Sequence, residues 1–463
     1  MFISSRKSFL TGKSKLIFID ILALCLSVYL ATIIRIGWED ANRYISLKLL
    51  PLGFGIFIFL TLFYLHGLYE LHFFDTYLKL ISRVISAVLL GILIYTFIFY
   101  AVFTFAIGRG VFTLMALLIA TFVFFPRIFY ISVAKRNILG EKVIIVGTGE
   151  AAFDIINIID KHPTCPYRII GVISEKEKET ISSFGHHQLM GSIDDIDQIA
   201  EQNKIDTIII TTLEPRRSKI LKHLRVCRYH GVRIIDSVSL YEEIEGRVPL
   251  QYIDDEWLFS SNMNYSNFHI KKLKRLMDII GSSIGIILVF PLCLVVSILI
   301  KFDSIGPIFY RQKRLSRDGR IFRLLKFRSM IHRAERGLGG PVWSQTNDNR
   351  ITRVGKWMRK TRIDEIPQLI NVFLGHMSLV GPRPERPAFI KELSEKIPFY
   401  LERLYVQPGL TGWAQINYPY TATIEESRIK LQYDLYYIKH VSFLLDCLIL
   451  LKTIKIVLLS RGR

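Results

Sequence analysis

Asp364 and Glu365 stand side by side directly after three cations, in Arg359-Lys-Thr-Arg-Ile-Asp-Glu-Ile-Pro-Gln368. Paired carboxylates inside so basic a segment point to an anionic substrate. Pro367 suits the first turn of a helix running through Leu369, Ile370 and Phe373. The pair would then lie where free backbone N–H groups and the positive end of the helix dipole favour anions, a geometry that suits phosphate. A plainer reading stays open at this point: Asp364 as a helix N-cap and Glu365 as a favourable first-turn acid.

The elements that must position this pair begin with a membrane. The chain has 463 residues, is 51% hydrophobic and carries a formal charge of +20. Residues 271–463 hold 33 Lys and Arg against 15 Asp and Glu, whereas residues 1–270 hold 27 against 25. The basic excess therefore sits in the C-terminal part, ready for anionic lipid or nucleotide phosphates. Long apolar segments alongside it count against nucleic acid. Cys25, Cys165, Cys227, Cys293 and Cys447 show no paired spacing, and the eleven histidines form no metal-ligand pattern.

Four apolar stretches, roughly 16–34, 49–65, 84–107 and 111–125, predict four transmembrane helices in a region spanning 1–135. Arg6, Lys7, Lys13 and Lys15 precede the first, and Arg127, Lys135 and Arg136 follow the last. Both ends are thus expected in the cytoplasm. The pattern then changes: β-branched strands at 142–146, 167–173, 206–211 and 232–235 alternate with amphipathic segments, predicting an α/β Rossmann-like domain over 136–268. Gly147-Thr-Gly149-Glu-Ala-Ala152 falls at its first strand-to-helix turn, where Gly147 and Gly149 would let backbone approach a pyrophosphate. Glu175 is the acid offered for a ribose hydroxyl, beyond the usual spacing. A turn whose glycines serve structure alone is the competing reading.

The C-terminal domain, 269–463, opens with Ile279 to Ile300, long enough to span but basic on both flanks and carrying Pro291 at its midpoint. Helix, break and helix over 276–301, entering one leaflet and returning, is the economical arrangement. Asp278 is expected to pair with Lys274 or Arg275. Beyond it, Arg311, Lys313, Arg314, Arg317, Arg320, Arg323, Lys326 and Arg328 are interrupted by a single acid, Asp318, and interleaved with apolar residues, as on a folded basic surface. Near the C-terminus, Tyr433-Asp-Leu-Tyr-Tyr437 and the apolar run 441–451 read as an interfacial helix with tyrosines at head-group depth, or as a core helix.

Five motifs then follow in order: Lys326-Phe-Arg-Ser-Met330, Asp348-Asn-Arg-Ile-Thr352, Asp364-Glu-Ile-Pro-Gln368, Val380-Gly-Pro-Arg-Pro384 and Gln407-Pro-Gly-Leu-Thr-Gly-Trp-Ala-Gln415. Their order closely resembles the bacterial sugar transferase family, the monotopic polyprenyl-phosphate phosphoglycosyltransferases. The resemblance implies a mainly α, monotopic catalytic domain on the cytoplasmic face of a bacterial inner membrane. It also implies transfer of a sugar 1-phosphate from a UDP-sugar to undecaprenyl phosphate, starting the assembly of an exopolysaccharide, capsule or O-antigen unit. Asp364 would be the nucleophile and Glu365 the ligand of Mg²⁺, with Arg383, between Pro382 and Pro384, at the uridine. Glucose or galactose is the sugar expected from the resemblance.

An anionic carboxylate approaching a diphosphate meets like charge, so fixed cations must neutralise the phosphoryl oxygens; Lys326, Arg328 and Arg359 are the residues offered for that work. Gln368 would orient the pair or a metal-bound water, Arg350 and Thr352 suit structure as well as catalysis, and Trp413 suits packing. Phe290 before Pro291 departs from the serine common in the family. Two other functions compete: a membrane-anchored NAD-dependent dehydratase or epimerase using the glycine turn, with Tyr44 and Lys48 as its Tyr-x-x-x-Lys spacing, and a non-catalytic assembly scaffold. The sequence leaves open whether the chain forms a homodimer.

Overall fold

The computed structural model describes the chain except residues 1–4, 70–76, 102–106, 136–139, 162–164, 166, 175–182, 212–216, 261–267, 332–349, 419–422 and 459–463. Glu175, Arg136, Asp348, Arg461 and Arg463, named above, lie outside the described residues. Two compact units divide between Ser237 and Val238.

The first unit begins with five helices, α1 (Ser5–Ile36), α2 (Trp38–Leu47), α3 (Leu49–Leu65), α4 (Tyr77–Ala101) and α5 (Arg109–Lys135). Three of the four expected apolar segments, now Leu16–Ile36, Leu80–Ile98 and Arg109–Ile128, are long and apolar enough to cross a bilayer. The fourth, α3, meets the more polar α2 at 80°. Apolar positions such as Phe18, Leu22, Phe57, Leu93 and Leu117 stay exposed, while Leu24, Phe59, Phe63, Leu80 and Val123 form a shared core. Arg127 is no flanking cation: it is fully buried, and its guanidinium grips Asp20 through Nη1 at 2.8 Å and Nη2 at 2.7 Å. Burial of the pair is offset by this two-pronged contact and by Nη1 donating to the Val123 carbonyl.

The α/β part follows as β1 (Glu141–Val146), α6 (Glu150–Lys161), β2 (Tyr167–Ser174), β3 (Ser183–Phe184), β4 (His187–Ser192), α7 (Ile196–Gln202), β5 (Thr207–Ile210), α8 (Arg217–Tyr229) and β6 (Arg233–Asp236). The strand order is β3-β4-β2-β1-β5-β6, parallel throughout except for the β3–β4 hairpin. β1 lies between β2 and β5, the point where the order reverses. Its last residue leads into Gly147, whose φ of +124° is open to glycine and costly for other residues.

The second unit holds α9 (Ser237–Glu245), α10 (Asp255–Ser260), α11 (Phe268–Asp303), β7 (Phe309–Leu315), β8 (Ile321–Phe327), α12 (Arg353–Thr361), α13 (Gln368–Phe373), β9 (Ser378–Val380), α14 (Pro387–Lys396), β10 (Gly409–Thr411), α15 (Trp413–Asn417), α16 (Ile424–His440) and α17 (Phe443–Leu458). It is mainly α, with two ribbons: antiparallel β7–β8 and parallel β9–β10.

The break expected in α11 is absent: the helix runs uninterrupted through Pro291. Proline's fixed φ fits a helix, so the ring removes one hydrogen bond without ending the element. Along α11, Gly281 and Gly285 admit Leu379 and Leu369, and a β-carbon on Gly281 would stand 2.6 Å from Leu379 Cδ1. Asp278 pairs with neither expected cation. It is buried, and one carboxylate oxygen accepts from Ser378 Oγ at 2.9 Å and Leu379 N at 2.8 Å, fastening the helix to β9. Lys274 turns instead to Asp446, and Arg275 to the carbonyls of Val372 and Phe373. The hydroxyl of Tyr437, expected at head-group depth, is buried and donates to Asp446 at 2.8 Å.

Candidate active site

Asp364 and Glu365 sit in a 3-10 turn, Ile363–Glu365, just ahead of α13. The chain enters it through Arg362, whose φ of +58° reverses direction after α12. Such a left-handed conformation is costly outside glycine and is kept where surrounding structure enforces it. The N-cap reading fails, since the residue capping the 3-10 turn is Arg362 and that capping α13 is Pro367, neither with a side-chain cap.

Three strands of contact position the pair. Asn371 of α13 accepts from Leu325 N and donates to the Arg323 carbonyl, both at 2.9 Å, stitching β8 to the helix behind the carboxylates. Lys326, next along β8, thereby points at Glu365. α12 is capped by Thr352, whose Oγ1 accepts from Gly355 N at 3.0 Å, and by Asp303, which accepts from Val354 N. Gly355 leaves room for the Ser329 carbonyl, where a β-carbon would approach to 2.1 Å. On the third side, Gly381, Gly409 and Gly412 bring the β9 and β10 backbones together so closely that a β-carbon on any of the three would clash with main-chain atoms. This close approach launches Pro382-Arg383-Pro384, whose two proline carbonyls accept from Gly409 N and Arg314 Nη1.

The result is an asymmetric pair. Glu365 Oε1 accepts from Lys326 Nζ at 2.8 Å and from Arg383 Nη2 at 2.6 Å, while Oε2 has Arg362 Nη1 at 3.8 Å. Burial acts to raise the Glu365 carboxyl, but the attraction of Arg383 and Lys326 outweighs it and holds the group well below the usual range. Asp364 is buried with no hydrogen bond or ion pair to its carboxylate among the described residues. Burial raises its pKa; Lys326, Arg359 and Arg383 pull it down, and Glu365 pushes it up. Four cations, Lys326, Arg359, Arg362 and Arg383, thus surround two carboxylates, a local surplus that attracts a polyanion.

The other sequence-derived residues divide. Arg359 donates to Ser329 Oγ at 2.9 Å and acts on Asp364 through its charge. Gln368 is buried, and its amide nitrogen has no partner among the described residues. Arg328 gives its hydrogen bonds to the end of α11, Nη2 reaching the Ser304 carbonyl at 2.6 Å, and its Nε and Nη1 are buried without partners among the described residues. Thr352 is a helix cap. Trp413 packs: its indole donates to the Gly246 carbonyl at 2.7 Å and stacks on Tyr436. Gly147 and Gly149 belong to the first unit. Asn371 and Asp303 escaped the sequence reading, although a polar residue amid Ile370 and Val372 was a visible signal. The oxygen donors of Asp364 and Glu365 are of the kind that Mg²⁺ takes, and Oε2 is the Glu365 oxygen that the two close cations leave.

Against known proteins, the model of the family described as bacterial sugar transferase matches residues 269–460, and that of a CoA-binding domain matches residues 64–237. A UDP-N-acetylgalactosamine-undecaprenyl-phosphate N-acetylgalactosaminephosphotransferase of Aeromonas hydrophila is 41% identical over 241 residues, 52% of this chain and 56% of that protein. The UDP-glucose:undecaprenyl-phosphate glucose-1-phosphate transferase of Klebsiella pneumoniae is 32% identical over 371 residues, 78% of this chain and 74% of its own length. A protein of the same description from Escherichia coli (strain K12) is 30% identical over 67% of this chain and 66% of its own. The chain thus spans little more than half of the Aeromonas relative and about three quarters of the Klebsiella one.

Proposed function

Since the chain belongs to the bacterial sugar transferase family, we propose that it moves a sugar 1-phosphate from a UDP-sugar to undecaprenyl phosphate, with Asp364 as the covalent carrier. The observation that carries this reading is the division within the acidic pair: Glu365 is clamped by two cations while Asp364 keeps its oxygens uncommitted.

An Asp364 carboxylate oxygen attacks the sugar-bearing phosphorus, and the bond from that phosphorus to the bridging oxygen breaks, releasing UMP with its electron pair. The lipid phosphate then attacks the same phosphorus, returning Asp364 to its free form and yielding a diphosphate-linked lipid sugar. Lys326, Arg359 and Arg383 lie around the carboxylates to offset the repulsion between nucleophile and phosphates, which is otherwise the main barrier to approach. Arg383, in a loop fixed by its prolines, also serves the nucleotide, and the unpartnered nitrogens of Arg328 and Gln368 are donors for phosphate oxygens. Glu365, with Asp364 beside it, would hold Mg²⁺, which when bound supplies further charge neutralisation at the phosphates.

α11 is long and apolar enough to cross a bilayer, but the cations at both its ends favour a helix seated in the inner leaflet of the bacterial inner membrane without crossing it, with the catalytic unit in the cytoplasm. The product would start the repeat unit of a surface polysaccharide. Tyr44, needed by a dehydratase, instead receives Gly108 N on its hydroxyl within the helical region.

Purified protein, a panel of UDP-sugars and undecaprenyl phosphate provide the test. Expected are UMP release requiring Mg²⁺ and, without acceptor, a mass increase equal to one phosphosugar that is absent from Asp364→Asn. An altered sugar nucleotide would identify the dehydratase, no reaction the scaffold, and full turnover by Asp364→Asn would remove the covalent step.

A further inference from the structure

Asp160 lies at the C-terminal end of α6, and His186 and His187 lie at the turn of the β3–β4 hairpin. Consecutive residues of a strand point to opposite faces. Here Gly185, at φ +64°, makes a tight turn, so the two imidazoles fall on one side with ring centroids 4.4 Å apart. Both direct Nε2 at the same carboxylate oxygen: His186 at 3.0 Å from Asp160 Oδ2 and His187 at 3.3 Å. A ligand atom from each of the three residues lies within 4.8 Å of the others.

These separations decide what the cluster suits. In a tetrahedral zinc site with bonds of about 2.0 to 2.2 Å, neighbouring ligand atoms stand about 3.3 to 3.5 Å apart. Both imidazole-to-carboxylate distances come within about 0.3 Å of that range. His187 is 16% exposed and positioned by the strand, whereas His186 is 73% exposed, which leaves an entry path and room for water as the remaining ligand. Two imidazoles and one carboxylate favour zinc and its neighbours over magnesium.

We propose that Asp160, His186 and His187 form a binding site for a divalent transition-metal ion of the zinc class. The site ties the antiparallel edge of the sheet to α6. It occupies the opposite end of that helix from Gly147 and Gly149, about 18 Å away along the axis, so it is separate from any nucleotide at the glycine turn. It also belongs to a different compact unit from Asp364.

The test uses the full chain purified without a polyhistidine tag, titrated with zinc by calorimetry and with cobalt by visible absorption. One equivalent should bind, with the intense d–d bands of a tetrahedral cobalt site, and excess Mg²⁺ should not displace it. His187→Ala and Asp160→Asn should weaken binding about 100-fold or more. His186→Gln, at the most exposed position, should do the same without disturbing the fold, and Asp364→Asn should bind like wild type. Failure of the wild type to bind zinc, or wild-type affinity in both His186→Gln and Asp160→Asn, would overturn the proposal. Neither result bears on the transferase reaction.

Discussion

Arg383 reaches across 18 residues of chain to place Nη2 2.6 Å from Glu365 Oε1, on the same oxygen that Lys326 holds at 2.8 Å. One carboxylate oxygen thus fixes two cations beside Asp364. On the proposed mechanism, removing Arg383 takes away a charge that offsets the phosphates and loosens Glu365 together. Arg383→Ala should lower kcat/KM for UMP release about 10²- to 10³-fold, the usual loss for one charge-stabilising donor. Arg383→Lys should recover part of it, limited by the loss of the planar fork. Wild-type kcat/KM in the alanine variant would refute the assignment.

The pH profile carries a second expectation. As the proposed nucleophile, Asp364 would have to be ionised to attack, and burial followed by the charge of Glu365 moves its pKa upward against the pull of Lys326. The acid limb of kcat/KM should therefore lie above the ordinary aspartate value of about 4. Glu365→Gln removes a like charge, so its residual activity should show that limb displaced to lower pH. An unmoved limb would mean that another group controls it.

Much of this site is legible before folding because charge-rich motifs stand out in a sequence whatever their surroundings. Lys326, Glu365 and Arg383 meet as their motifs suggest, and the four apolar stretches and the β-branched strands appear as helices and a parallel sheet. What the sequence hides is partnership between distant polar groups. Arg127 reads as a topogenic flank because Asp20 lies 107 residues away. Asp278 reads as the partner of its neighbours on α11 until Ser378 and Leu379 arrive from β9. The adjacent histidines at 186 and 187 look idle until α6 delivers Asp160. Pro291 reads as a break because the cost of one lost hydrogen bond is visible in sequence and the tolerance of the surrounding helix is not.

The Asp20–Arg127 pair makes a prediction about stability in the bilayer. Asp20→Leu leaves a buried guanidinium without its anion, which typically costs about 3 to 5 kcal/mol. Asp20→Leu combined with Arg127→Met removes both charges from the same place and should restore most of that loss. Thermal unfolding in detergent or nanodiscs measures both. Additive losses in the double variant would show that the two side chains do not act as a pair.

Arg403 and Asp434 give a pH-dependent counterpart in the catalytic unit. Arg403 Nη2 donates to Asp434 Oδ2 at 2.9 Å, yet burial outweighs that attraction and pushes the Asp434 carboxyl up to about 6. A folded-state value above the unfolded one means the native chain binds the extra proton, so this group's contribution falls as pH rises from about 4 to about 6. Arg403→Met removes the cation that makes the ionised form tolerable. Its destabilisation relative to wild type should be large at pH 8 and clearly smaller at pH 5. Equal losses in melting temperature at both pH values would argue against a buried, charged Asp434.

Arg328 separates a strut from a ligand. Its Nη2 is held by Ser304, but Nε and Nη1 are buried without partners among the described residues, and each such orphan typically costs about 1 to 3 kcal/mol. A ligand-free protein that carries this cost gains little stability from the side chain, whereas a phosphate oxygen would gain two charged donors. Arg328→Gln should therefore lower kcat/KM at least about 10²-fold while leaving the melting temperature within a few degrees of wild type. If the side chain only braces the end of α11 against β8, the order reverses: melting temperature falls sharply, and the protein that stays folded at low temperature turns over at the wild-type rate.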